Sequence, residues 1–92
     1  GATAIIDANN HVLGVFTDGD VRRALDAGTD VHKTKISEVM TSGCKTIAAD
    51  ALAVEALSMM EKHKINALLV VAYAFVLIGA LNMHDLLRAR VV

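Results

Sequence analysis

The sequence predicts an α+β fold built on two copies of one strand–strand–helix pattern. Three observations predict it. Shifting the chain by 65 positions lays Gly14 on Gly79, Asp20 on Asp85, Arg23 on Arg88 and Ala24 on Ala89. The same shift lays Ile5-Ile6 on Val70-Val71 and Val12-Leu13 on Leu77-Ile78, and internal repeats of this kind decide an architecture. Second, the nineteen residues from Ile65 to Met83 carry no side chain that ionises near pH 7. That length is enough for a membrane-spanning helix. The repeat instead reads it as a hairpin, Leu68–Val71 and Leu77–Leu81, and Gly79 with β-branched Val70, Val71, Val76 and Ile78 suits strands better than a helix. Third, residues 50–64 place Ala53, Val54, Ala56, Leu57 and Met60 on one helical face and Glu55, Ser58 and Lys62 on the other.

The elements follow in order. Ala4-Ile5-Ile6 and His11–Phe16 are apolar runs around Asp7-Ala8-Asn9-Asn10, a stretch of turn formers, and together predict a hairpin. Thr17 caps a short helix with Asp20 at its third position, and Gly28 ends it. Residues 29–35 connect. Ile36–Met40 makes one helical turn. Cys44–Ile47 is a short strand that holds an inert, buried Cys44. Asp50 caps the amphipathic helix. Where the first copy has its turn, the second has Ala72-Tyr73-Ala74-Phe75, which are poor turn formers. Three readings stand: a turn buried in an interface with Tyr73 and Phe75 as anchors, a long strand without a turn, or a misassigned run of residues.

Composition excludes several classes. Hydrophobic residues make up 54% and the formal charge is -1, so the chain is not disordered and has no pull towards nucleic acid. One Cys excludes a disulfide scaffold, and the four His lack metal-ligand spacing. Neither a metal nor a membrane partner is expected. The start, Gly1-Ala2-Thr3, has no initiating Met, basic region or cleavage signal, and reads as a piece of a longer chain. The single thiol favours the cytoplasm.

The segments Gly14-Val15-Phe16-Thr17-Asp18-Gly19-Asp20 with Val21-Arg22-Arg23, and Ile36-Ser37-Glu38-Val39-Met40-Thr41, resemble a tandem CBS-domain pair, or Bateman module. The wording is similar to the C-terminal regulatory part of bacterial D-arabinose 5-phosphate isomerases. The resemblance covers nearly the whole chain. It implies β-α-β-β-α repeats, small sheets packed together with helices outside, and a truncated first repeat. Residues 1–35 are then the partial first repeat and 36–92 the complete second. It implies a sugar-isomerase domain elsewhere in the parent chain; the residues here hold no nucleophile–base pair or phosphate loop, so no catalysis is expected in this piece, and the apolar excess with Tyr73 and Phe75 predicts a homo-oligomer through the pair.

The resemblance also implies nucleotide ligands. Thr17 and Asp20 match the ribose- and phosphate-contacting Thr-x-x-Asp, Asn82 and Asp85 take those places in the second copy, and Thr46, Asn66 and Ala67 match positions that hold the base. The residue chemistry agrees in part. A carboxylate accepts from both hydroxyls of a diol, a helix start offers N–H groups to phosphate, and His84 adds positive charge when protonated. The same Thr-x-x-Asp spacing is also that of a helix capping box. No cofactor is required. The expected ligand is AMP or ATP, or a CMP-type nucleotide acting as feedback on lipopolysaccharide sugar synthesis.

Overall fold

The structure is a computed structural model, and it describes residues 1–88; Ala89 of the repeat lies outside the described residues. Among the described residues, nine helices and strands follow one another with one short turn of 3₁₀-helix. They are β1 (Ala2–Ile6), β2 (Val12–Thr17), α1 (Asp18–Asp26), α2 (Ile36–Val39), β3 (Thr46–Ala48), α3 (Ala53–His63), β4 (Ala67–Val71), the 3₁₀ turn (Tyr73–Phe75), β5 (Leu77–Asn82) and α4 (Met83–Arg88). The chain divides into two units, Gly1–Cys44 and Lys45 onward. The predicted α+β class and its two small sheets are present.

In the first unit β1 and β2 form an antiparallel hairpin, with Ala4 opposite Val15 and a bulge between Ile5 and Ile6. Asp7 makes the turn, its carboxylate accepting the N–H groups of Asn9 at 2.8 Å and His11 at 3.0 Å. α1 begins at Thr17 as expected, and Gly28 follows its end at φ 72°, the left-handed region glycine enters freely. The Ile36–Thr41 segment packs here, not with the residues that follow it. Thr41 bridges Val15 through two backbone bonds of 2.8 Å. Gly14 must lack a side chain, because a Cβ there would lie 2.5 Å from the Thr41 carbonyl and 2.9 Å from Met40 Sδ.

In the second unit β3 runs parallel to β4, and β4 antiparallel to β5, in the order β3-β4-β5. The uncharged run is therefore a hairpin, and among the described residues no helix is long and apolar enough to cross a membrane. The core is Ala56 and Met60 of α3, Leu68 of β4 and Leu86 of α4, with Ile47, Leu57, Met59, Ile65, Leu81 and Met83 around it. Three local expectations change. Asp50 lies in a turn, and α3 starts two residues after Ala51 with Leu52 at its cap and no side-chain cap bond. Val54 is half exposed, so the buried stripe is narrower than its spacing suggested. Cys44 precedes β3 and is only partly buried.

The second hairpin turn shares one left-handed position with the first and adds another. Asn10 has φ 66°, and Phe75, its equivalent 65 positions on, has φ 61°; Ala74 also has φ 61°. Asn tolerates this region, whereas a bulky residue there is strained by about 1–2 kcal/mol. Phe75 is 61% exposed, so it recovers little by burial. Phe75→Asn is expected to raise stability by about 1 kcal/mol in urea unfolding. A loss of stability would show that Phe75 is held by packing instead.

Candidate functional site

Each unit carries one capping cluster at the junction of its last strand and the following helix. In the first, the Asp20 N–H donates to Thr17 Oγ1 at 3.2 Å, and the Thr17 N–H donates back to Asp20 Oδ2 at 2.8 Å. The Thr17 hydroxyl also donates to Asp20 Oδ2, at 3.0 Å. Asp20 Oδ1 accepts from the Thr41 hydroxyl at 2.7 Å and from the Arg23 guanidinium. A carboxylate has about four lone-pair sites, and all four are used. Asp20 is buried to 3% exposure. Burial alone would push its carboxyl up, but the bonds from Thr41, the Thr17 N–H, Arg23 and the Thr17 hydroxyl outweigh it and hold the group at about 2.

In the second cluster, the Asp85 N–H donates to Asn82 Oδ1 at 3.0 Å and the Asn82 N–H donates to Asp85 Oδ2 at 2.9 Å. Arg88 donates to Asp85 Oδ1 at 2.7 Å. The Asn82 N–H, the Arg88 guanidinium and the nearby charge of His84 lower the Asp85 carboxyl. An Asn side chain has no hydroxyl to turn onto Asp85, and no equivalent of Thr41 is present among the described residues. Asp85 therefore accepts two bonds where Asp20 accepts four, and its side chain is one-third exposed.

The topology decides what else lies near Asp85. Ala67 opens β4 and Asn82 closes β5, so these two sit at one end of the sheet, whereas Thr46 opens β3 opposite Leu69, two residues in from that end and on the other side of β4. Ala67 is paired with Asn82, and the Asn66 carbonyl accepts the Met83 N–H at 2.8 Å. Asn66, Ala67 and Asn82 are exposed, as is His84 in the first turn of α4. The structure thus brings Asn66, Ala67, Asn82, His84 and Asp85 to one end of the second unit and leaves Thr46 on the far strand, level with Leu69. Thr17 and Asp20 form their own cluster in the first. Two shallow depressions, of about 320 and 410 Å³, lie away from these residues, one along α1 at Val21 and Leu25, the other at Ala48, Val71 and Tyr73. No group of three or more His, Cys, Asp or Glu side chains that could hold a metal occurs among the described residues.

Two contributors were missed in the sequence. Arg23 reads as an exposed charge, and it is exposed, yet it pairs with Asp20. The signal was the i,i+3 spacing, repeated as Asp85–Arg88. Thr41 is twenty-one residues from Asp20, and no local pattern links them.

The profile of the family described as "CBS domain" matches residues 36–92. The chain belongs to the CBS-domain family. The CBS pair is also what the solved structures show. The chain resembles the CBS domain pair of protein MJ0100 in complex with 5′-methylthioadenosine and S-adenosyl-L-methionine, with a TM-score of 0.81, 25% identity and coverage of 97% of this chain and 68% of that one. It also resembles a crystal structure described as a putative acetoin utilization protein (AcuB) from Vibrio cholerae, with a TM-score of 0.84, 31% identity and coverage of 98% and 66%. Among curated proteins it is 54% identical over 91 residues to arabinose 5-phosphate isomerase KdsD of Pseudomonas aeruginosa. It is 48% identical over 92 residues to KdsD of Yersinia pestis. This CBS chain matches 99% and 100% of its own length in these relatives but spans only 28% of theirs.

Proposed function

We propose that the chain is the nucleotide-sensing CBS pair of a sugar-phosphate isomerase that interconverts arabinose 5-phosphate and ribulose 5-phosphate. The parent reaction would feed the Kdo sugar of lipopolysaccharide. One observation carries the choice of site: Asp85 Oδ2 accepts a single bond where Asp20 Oδ2 accepts two. The replacement of Thr17 by Asn82 in the second copy leaves an acceptor for a ribose hydroxyl. Asn66 and Ala67 then offer backbone and side-chain groups to a base beside Asn82, Thr46 would reach it from across β4, and His84 offers charge to phosphate. In the first copy Thr17 and Asp20 would admit a ligand only by giving up bonds they already make.

Regulation would work by linkage. A nucleotide that binds one arrangement of the pair better than another biases the attached enzyme towards it. The adenosyl ligands named in the MJ0100 complex support an adenine nucleotide, and CMP or its sugar conjugate would act as feedback. The test is a thermal-shift screen of AMP, ATP, CMP and the CMP-sugar. A ligand at 100 times its Kd should add about 2.7 kcal/mol, and Asp85→Ala should abolish the shift while Asp20 is intact. No shift with any of the four at millimolar concentration would remove sensing from this chain.

Exposed apolar side chains favour a second role, homo-oligomerisation, which is compatible with the first. Tyr73 and Phe75, in one turn, are 94 and 61% exposed, and a contiguous exposed apolar patch can mark a contact site. Sedimentation should give a dimer, and Tyr73→Glu with Phe75→Glu should give a monomer. A monomer for the unaltered chain at high concentration would refute this role.

A further inference from the structure

Each oxygen of the Asp20 carboxylate carries one hydroxyl donor and one nitrogen donor. Oδ1 accepts from the Thr41 hydroxyl at 2.7 Å and from the Arg23 guanidinium. Oδ2 accepts from the Thr17 hydroxyl at 3.0 Å and from the Thr17 N–H at 2.8 Å. A ribose diol presents the same pair of donors, one O–H for each oxygen. The Thr17 and Thr41 hydroxyls therefore stand where a diol would bond. They are not tied equally. Thr17 Oγ1 also accepts the Asp20 N–H at 3.2 Å, so it belongs to the helix cap and stays beside Asp20 when its proton turns elsewhere. The Thr41 hydroxyl has Asp20 as its one partner among the described residues. Thr41 is exposed, although the carboxylate it covers belongs to a residue only 3% exposed. A hydroxyl on an exposed residue loses little when it lets go, because water takes its partner's place.

We propose that Thr41 decides which copy is open: its hydroxyl fills the first site as an internal stand-in for a ligand's diol, and a nucleotide enters there only by displacing it. This inference rests on the nucleotide-sensing reading above, whose own site is the second copy. Displacement conserves the bonds on Asp20, since two hydroxyls of the ligand replace two of the protein. It also removes one of the bonds that hold Thr41 and leaves the two backbone bonds to Val15. Thr41 stands just before the boundary between the units at Cys44, so occupancy of the first copy would loosen the stretch of chain that leads into the second. Thr41 is thus a positioning residue that acts on the ligand through Asp20. If the clasp were only structural, losing its hydroxyl would weaken the first site; if it is a competitor, losing it strengthens binding there.

The test titrates the isotope-labelled chain with AMP, and with a 2′,3′-dideoxy analogue of AMP that lacks the diol, while following the amide resonances of both clusters. In Thr41→Val, which keeps the β-branched shape and the backbone bonds, the AMP concentration for half-saturation at Thr17 and Asp20 should fall by about tenfold. That at Asn82 and Asp85 should not move. Thr41→Ser, which keeps the hydroxyl, should titrate as the unaltered chain does. The dideoxy analogue should show no gain in Thr41→Val. Saturating the unaltered chain with AMP should speed amide exchange at Thr41. An affinity at Thr17 and Asp20 that is unchanged or weaker in Thr41→Val would overturn the proposal, as would a gain that persists without the diol. A response at Asn82 and Asp85 with none at Thr17 and Asp20 in either chain would overturn this inference and leave the nucleotide-sensing reading standing. No response in either cluster would overturn both.

Discussion

Asp20→Ala is expected to destabilise the protein by about 2 kcal/mol, the cost of a lost helix cap together with part-buried donors left without an acceptor. The Thr17 N–H and hydroxyl and the Thr41 hydroxyl all lose their partner, while Arg23, which is mostly exposed, returns to water. The Thr41 bridge to Val15 should loosen with it, because the hydroxyl and the two backbone bonds hold one residue. Asp85→Ala should cost distinctly less, since Asp85 accepts only two bonds and is partly exposed. Urea unfolding of the two variants gives the comparison. An equal loss in both would mean that the Thr41 clasp contributes nothing.

The same carboxylate sets a pH dependence. Its pKa is lowered from 3.8 to about 2 on folding. A lowered carboxyl stabilises the fold fully above its unfolded value, and the contribution disappears as pH falls from there through the folded value. The stability difference between the unaltered chain and Asp20→Asn should therefore be constant above about pH 5 and shrink steadily towards about pH 2.

Met60→Ala should be the most damaging change in the second unit, at about 3 kcal/mol. Met60 is 1% exposed and sits with Ala56, Leu68 and Leu86 in a core of four fully buried residues. The native state as a whole is stable by only about 5–15 kcal/mol. The urea midpoint should fall with little change in slope. A loss under about 1 kcal/mol would mean that this core is not what holds the three strands and two helices together.

What was legible in the sequence follows the range of the interactions. The repeat was readable because it is written in identities and in alternating apolar runs, and it turned a run of membrane-spanning length into β4 and β5. The capping boxes at Thr17 and Asn82 were readable because their partners lie three residues apart. Asp50 is not the cap because the preference for Asp at a cap is statistical, and the chain starts its helix at Ala53 with Leu52 as the cap. The left-handed turn at Ala74 and Phe75 was not readable, since its residues contradict its backbone; the hairpin register imposes that shape against local preference. The clasp of Thr41 on Asp20 was invisible for a different reason: it joins residues that only the fold brings together. That clasp is what distinguishes the sealed first copy from the open second one.

The most direct test of the account is to titrate the isotope-labelled chain with AMP, and in parallel with CMP, while following its amide resonances. The account predicts shifts that saturate at Asn66, Ala67, Asn82, His84 and Asp85, begin later or not at all at Thr17 and Asp20, and vanish in Asp85→Ala. Saturating shifts centred on Thr17 and Asp20, or none in either cluster, would contradict it.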